Sequence, residues 1–271
     1  MGPRRILAWR EFHMPSHLIP LMEVGITVGD SLERVDVLGS DFDFVELGID
    51  EGGVPAAETS PATVIERVAA VDSSLCLHLP FKQDLVTPVP EINAAIVDFL
   101  ERLLEWGGAA GAEKAVLHGT ARNPHDVALR ETAIDQLREI GERASAYDVE
   151  LVVENVGHQP RGFQLSVLAD IAEQTDTAVC FDVGHAFMED GQAGIERFLR
   201  ETADRITHLH VHDVRSRGDT HLPIGAGEID YEPVRERLEG FSGTVAVEVF
   251  TDDLPLLRDS ARRIDDLLTE G

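Results

Sequence analysis

Eight times in succession the sequence sets a short run rich in Val, Ile, Leu and Phe ahead of a longer amphipathic one, and this rhythm constrains the fold more than any single motif. The short runs read as strands at Leu21 to Val28, Phe42 to Ile49, Leu75 to Leu79, Lys114 to His118, Glu150 to Asn155, Ala178 to Val183, around His208 to His212, and Thr244 to Phe250. Helices are predicted from Ser31 and Leu32, from about Ser60 with Pro61 in the first turn, over Glu91 to Trp106 behind Pro90, and over Pro124 to about Ala146. The remaining four span Leu165 to Glu173, Gly194 to Thr202, Tyr231 to Leu238 and Leu254 to Leu268. Within the third helix Ile92, Ile96, Phe99, Leu100, Leu103 and Leu104 recur at a helical period. One strand per helix implies parallel pairing through helical crossovers. Eight such units in about 250 residues are the usual size of a (β/α)8 TIM barrel. A doubly wound open sheet would place a Gly-rich phosphate turn after the first strand, and the sequence has none there.

No Ser/Gly-rich linker or shift in composition divides the 271 residues, so a single α/β domain is expected over 20–271, preceded by an N-terminal arm at 1–19. There is no run of about 18 apolar residues to cross a bilayer. The arm has charges but no apolar core of the signal-peptide kind, which predicts a soluble, cytoplasmic protein. Cys76 and Cys180 each lie inside an apolar strand-like run and read as buried free thiols. Acidic residues number 50 against 23 basic ones, a formal net charge of −27. Such a surface repels polyanions, and beyond Arg4, Arg5 and Arg10 there is no basic stripe to hold a nucleic acid. With Lys82 and Lys114 the only lysines, the balance suits a halophilic, high-salt cytoplasm, where charges are screened over about 3 Å at 1 M salt.

Chemistry-bearing residues gather at the C-terminal ends of the strands. His78 ends the third, His118 the fourth, Glu154 the fifth, Asp182 with His185 the sixth, His210 the seventh and Glu248 the eighth, while Asp219 and His221 lie in the loop after the seventh. Barrel enzymes place their chemistry at that rim. Apolar neighbours on either side of Glu154, Asp182 and Glu248 would face the helices, so these carboxylates point inward. On the seventh strand His208, His210 and His212 share one face; His208 reads as a deeper core residue, and His210 is preferred to His212 as a ligand because it fits an H-x-x-D spacing with Asp213. Inward carboxylates among imidazoles are too costly to leave unpaired, and a divalent cation is the simplest compensation. Mixed nitrogen and oxygen donors without thiolate suit Zn or Mn, with Fe or Co as further options, better than Ca or Mg.

The set His78, His118, Glu154, Asp182-Val-Gly-His185, His210-Val-His-Asp213, Asp219-Thr-His221 and Glu248 resembles the divalent-metal-dependent TIM-barrel superfamily that includes xylose isomerase-like sugar phosphate isomerases and epimerases as well as endonuclease IV. By that resemblance all nine residues, His78, His118, Glu154, Asp182, His185, His210, Asp219, His221 and Glu248, are candidate metal ligands for one to three ions. In the sugar branch the residues matching Glu154, Asp182, His210 and Glu248 hold one ion. Glu154 and Glu248 then move the proton through a metal-stabilised enediolate, and His185 bonds a substrate hydroxyl. Arg215 and Arg217 would bind a hydroxyl or phosphate, with His78 beside the substrate.

The resemblance therefore implies a metal-dependent sugar or sugar-phosphate isomerase or epimerase, possible as a homo-oligomer, with no membrane or nucleic-acid partner. Ketose epimerases carry a further Glu six residues beyond the first catalytic one, and Pro160 stands there instead, a departure from a simple ketose 3-epimerase. The alternative is an endonuclease IV-like hydrolase of phosphodiesters at abasic sites. Against it, Glu23-Val-Gly-Ile-Thr-Val28 lacks the Gly-Ala-His-Val-Ser start of that branch, and Phe81 replaces a DNA-contacting Tyr. A non-catalytic metal-bearing binding protein is the third reading. Gly225-Ala-Gly227 could cup a phosphate or be a plain turn.

Overall fold

The computed structural model describes residues 22–215 and 218–269; the expected N-terminal arm and Arg217 lie outside them. Eight parallel strands close into a barrel: β1 (Glu23–Gly29), β2 (Phe44–Gly48), β3 (Ser74–His78), β4 (Ala112–His118), β5 (Glu150–Glu154), β6 (Ala178–Asp182), β7 (Ile206–Val211) and, last in the ring, β10 (Thr244–Val247), which pairs with β1. Between β7 and β10 the chain adds an antiparallel hairpin, β8 (Asp213–Arg215) and β9 (Gly218–Leu222), where the sequence predicts only a polar loop.

The helices follow the predicted order: α1 (Leu32–Leu38), α2 (Pro61–Ala70), α3 (Pro90–Ala109), α4 (Val127–Ala146), α5 (Leu165–Thr175), α6 (Val183–Thr202), α7 (Glu232–Arg237) and α8 (Leu254–Thr269). Two boundaries differ for a stated reason. α4 begins at Val127 rather than Pro124, because the Asp126 carboxylate accepts from Ala128 N and caps it there. α6 begins at Val183 rather than Gly194, because Asp182 caps it by accepting from His185 N at 2.6 Å. The helix breaks at Asp190 and Gly191, the latter at φ 61°, and the sequence pattern catches only the stretch beyond that break.

Side-chain parity builds the interior. Strand residues of one parity pack outward as Val, Leu and Ile against the helices in a continuous apolar core. The other parity fills the barrel in tiers, starting with Phe44, Cys76 and Ala246 on one side and Val116, Val152 and Cys180 on the other. Phe44 occupies the space left by the missing side chain of Gly25, where a Cβ would stand 2.5 Å from the ring. The next residues up are polar. Register sets Asp182 beside His210, His118 beside Glu154 and Gly48 beside His78, so the upper tier of the barrel is acid and imidazole.

Candidate metal centre

Glu154 is the hub. It ends β5, is 1% exposed, and divides its oxygens between two groups of imidazoles. Oε2 lies 3.2 Å from His78 Nε2 and 3.1 Å from His118 Nε2, on the two preceding strands. Oε1 lies 3.0 Å from His185 Nδ1 and 3.7 Å from His210 Nδ1. The same His210 nitrogen stands 3.9 Å from Asp182 Oδ2 and 3.4 Å from Glu248 Oε2. Glu248 lies one residue past β10, yet its backbone N–H still donates to Val211 O and keeps it in line with the strand. The hairpin adds Asp219, whose Oδ1 is 2.9 Å from His221 Nε2 and whose Oδ2 is 3.5 Å from His185 Nε2. All nine sequence-predicted ligands thus lie in one connected cluster.

The electrostatics follow from burial and mutual charge. Burial opposes ionisation of Glu154, yet the charges of His118 and His210 and the bonds from His118 and His185 hold its carboxyl well below the usual range. Asp182 is depressed in the same way by His185 and His212 against its burial, and Asp219 by bonds from His185 and His221. Burial alone would lower His185 and His210. Asp182, Asp219 and Glu154 nevertheless lift the first, and the carboxylates Glu46, Glu154 and Glu248 the second, well above the ordinary imidazole value. In the metal-free chain protons stand where positive charge is needed.

Whether these groups suit a cation can be judged from their unused atoms. Asp182 Oδ2, His210 Nδ1 and Glu248 Oε2 are buried without a hydrogen-bond partner among the described residues, although they approach one another. Native proteins rarely leave such groups unpaired. Nitrogen and carboxylate donors converging on one point fit a divalent ion of the Zn or Mn kind. Cys180 beside His210 belongs to a deeper tier, and burial pushes its thiol far up, so it stays protonated and offers no thiolate.

Comparison with known proteins decides the family. The sequence pattern described as xylose isomerase-like TIM barrel matches residues 35–267. The chain belongs to the xylose isomerase-like TIM barrel family. Relatives include an uncharacterized protein of Methanocaldococcus jannaschii, 25% identical over 240 residues that cover 86% of this chain and 92% of the relative. Another is a probable endonuclease 4 of Staphylococcus carnosus, 27% identical over 59% of this chain and 60% of the other. Among solved structures, an L-ribulose 3-epimerase superposes with a TM-score of 0.77 at 18% identity, covering 92% of this chain and 95% of that one. The buried His, Glu and Asp clusters are consistent with a divalent metal site of the kind typical of the xylose isomerase-like barrels.

Beside the cluster the barrel mouth opens into a cleft of about 340 Å³, with His78 and Glu248 in its wall and Phe81 and Phe250 at its edges. Its charged lining is Asp30, Glu46, Asp50, Glu51 and Glu248 against Lys82. Arg215, predicted to bind substrate, instead turns its guanidinium to the Ala226 carbonyl at 2.7 and 3.1 Å and does not line this cleft. The Gly225-Ala-Gly227 turn is already occupied by a carboxylate of the protein. Asp213 accepts from Gly225 N and Ile229 N, and a Cβ at Gly227 would stand 2.0 Å from Asp213 Oδ1.

Sequence reasoning gave no role to Glu46 or His158, and it left His208 and His212 outside the ligand set. Glu46 on β2 accepts from His208 Nε2 at 3.0 Å and His210 Nε2 at 3.1 Å. His208, expected as core, is fully buried and is tied to the Thr244 hydroxyl at 2.6 Å as well as to Glu46. His158 stacks at 4.2 Å on His185, and burial with the neighbouring His185 charge pushes it down to about 4. His212, weighed as a rival of His210, is a neighbour of it instead. The strand parity that puts Glu46 inside was available; the loop geometry behind His158 was not.

Proposed function

We propose that this protein is a metal-dependent isomerase or epimerase of unphosphorylated sugars, moving a proton at the carbon beside a carbonyl. The observation that carries this reading is the convergence of Glu154, Asp182 and Glu248 on His210 Nδ1 within 3.4 to 3.9 Å, beside a polar cleft. Glu154, Asp182, His210 and Glu248 would hold a divalent ion, which when bound supplies Lewis-acid polarisation of a carbonyl and its neighbouring hydroxyl. Glu154, held ionised by its imidazole partners, presents a carboxylate to the ion and beside the reacting carbon, where the exchange of those imidazole protons for a cation leaves it free to take the substrate proton. Glu248 approaches from the opposite part of the ring and is the more accessible of the two, with 16% of its side chain exposed, and so is placed to return one. The cleft volume lies within the range of small-molecule sites. Its excess of carboxylates over Lys82 disfavours a phosphate, and the aromatic edges of Phe81 and Phe250 offer apolar walls to a sugar ring.

A second reading, a phosphodiester hydrolase, is favoured by the additional imidazoles His78 and His118 on Glu154 Oε2 and by the likeness to a probable endonuclease 4. The acidic cleft weighs against it, because a polyanion would meet unscreened like charge there. The test is to reconstitute the chelated protein with Mn²⁺, Zn²⁺ or Co²⁺ and incubate it with a panel of free ketoses and aldoses in D₂O. Deuterium entering beside the carbonyl is the expected result. No exchange with any sugar, together with cleavage of DNA at abasic sites, would transfer the assignment to the hydrolase; bound metal with neither activity would leave a non-catalytic binding protein.

A further inference from the structure

Glu46 is 1% exposed, yet its side chain forms part of the cleft lining. Its Oε2 is taken by His208 and His210, whereas its Oε1 has no hydrogen-bond partner among the described residues. Neither strand neighbour serves that oxygen. Thr27, opposite it on β1, donates its hydroxyl to Val247 O at 3.4 Å, and Cys76, opposite it on β3, carries a thiol that burial and the Glu46 charge push well up. A buried carboxylate oxygen without a donor is rare in native proteins, and a ligand in the cleft can bring the donor that the chain lacks. The charge around it runs one way. Asp30, Asp50, Glu51 and Glu248 line the cleft with Glu46, and Asp50 and Glu51 are held by backbone N–H groups rather than by cations. Against these five carboxylates stand His78, already bonded to Glu154 Oε2 at 3.2 Å, and Lys82, which is exposed with its Nζ 5.7 Å from the Phe81 ring centroid.

We infer that the ligand of this cleft carries an ammonium group whose N–H donates to Glu46 Oε1; resting on the isomerase reading above, the substrate is then an amino sugar. A hydroxyl would satisfy the oxygen, but an ammonium also offsets the surplus of negative charge, and charge-assisted bonds to a buried carboxylate are the stronger kind. Glu46 thereby acts as the residue that selects the substrate, with one oxygen for the imidazoles below the cluster and the other for the ligand.

The probes are glucamine (1-amino-1-deoxy-D-glucitol) and D-glucitol, which share a carbon skeleton and differ by an ammonium in place of one hydroxyl. Isothermal titration of the full chain in saturating Mn²⁺ at pH 7 and 1 M KCl reads the preference without turnover. At that salt, attraction to the acidic surface at large is screened beyond about 3 Å, so a surviving preference reports a direct contact. Glucamine should bind about 10-fold or more tightly than glucitol. Glu46→Gln should bring the two within a factor of two, while Asp30→Asn, at the exposed rim, should keep most of the preference. Equal affinities in the wild type, no binding of either probe, or an unchanged preference in Glu46→Gln would overturn the inference. Equal affinities together with deuterium exchange into neutral sugars would do so while leaving the isomerase reading intact; a preference for glucamine without exchange into any sugar, amino sugars included, would keep the ammonium site and remove that reading. Should Glu46→Gln fail to fold or to load, wild-type crystals soaked with glucamine decide: its nitrogen at about 2.8 Å from Glu46 Oε1 supports the contact, and no nitrogen there refutes it.

Discussion

Replacing Glu46 by Gln tests whether the tier beneath the cluster tunes the cluster. Both imidazoles of His208 and His210 address one oxygen of this buried carboxylate, Oε2, at 3.0 and 3.1 Å. Burial opposes its ionisation, but the charge of His210 and the two bonds hold it far below the usual range. In the Gln variant each charge-assisted bond becomes a neutral one, a loss of about 1 kcal/mol apiece. The amide nitrogen also takes the place of Oε1, which has no partner among the described residues, and an unsatisfied buried donor costs about 1–3 kcal/mol. Relief from burying a charge offsets part of this, leaving a net loss of about 2–3 kcal/mol. At about 2–4 °C per kcal/mol the chelated protein should melt roughly 5–10 °C lower. Because His210 presents Nδ1 to the cluster while Glu46 polarises its other nitrogen, metal affinity at the His210 cluster should fall about 10- to 100-fold. Competition against a chromophoric chelator measures it. His208→Gln, which removes the other bond, should lower the melt but spare the affinity. An affinity for Glu46→Gln within a factor of two of wild type would refute the coupling.

Glu154→Gln should abolish metal binding at the His210 cluster and all turnover while the circular dichroism spectrum is retained; normal turnover would remove Glu154 from the mechanism. Gly25→Ala should drive a Cβ into the Phe44 ring and lower the melt by about 1–3 kcal/mol in equivalent stability, with metal content unchanged, since the clash lies a tier below the cluster. The pH response has opposite signs on its two sides in the chelated protein. His185 and His210 are raised, so their contribution is present below about pH 6.5 and is lost as pH rises through their folded values. Glu154, Asp182 and Asp219 are depressed, so theirs is present above about pH 4 and is lost on acidification. A cation replaces those protons, and the gain in melting temperature on adding Zn²⁺ should widen between about pH 6 and pH 9; a gain that shrank over that range would contradict this.

What was legible in the sequence was whatever depends on period. Alternation of strand and helix gave parallel β/α units, and eight of them with no Gly-rich turn after the first strand pointed to the closed barrel. Period two along a strand placed Glu154, Asp182 and His210 inside, and those residues do end their strands there. Where the chain leaves a regular period, the sequence does not show what each side chain bonds. Arg215 looks like a substrate clamp only if the loop after β7 is open; folded into the β8–β9 hairpin it is spent on the Ala226 carbonyl. The Gly225-Ala-Gly227 turn looks like a phosphate cup until Asp213 is seen to fill it.

The three imidazoles of β7 are more instructive, because their parity was legible and their depths were not. His208, His210 and His212 share one face of β7, and spacing to Asp213 was made to choose among them. That choice assumed a single ligand per strand face. The barrel instead stacks them at successive depths: His208 bonds Glu46 below, His210 spans Glu46 and the three carboxylates, and His212 reaches past Asp182 to the hairpin. Since strand residues two apart rise by about 6–7 Å, one face can serve the core and then the cluster above it in turn. Asp213, the residue that favoured His210 by spacing, binds backbone N–H groups of its own loop and touches no member of that choice through its carboxylate hydrogen bonds. Depth along the barrel axis, rather than motif spacing, separates the three imidazoles, because a ring level with Glu46 meets one carboxylate and a ring one step higher meets three more.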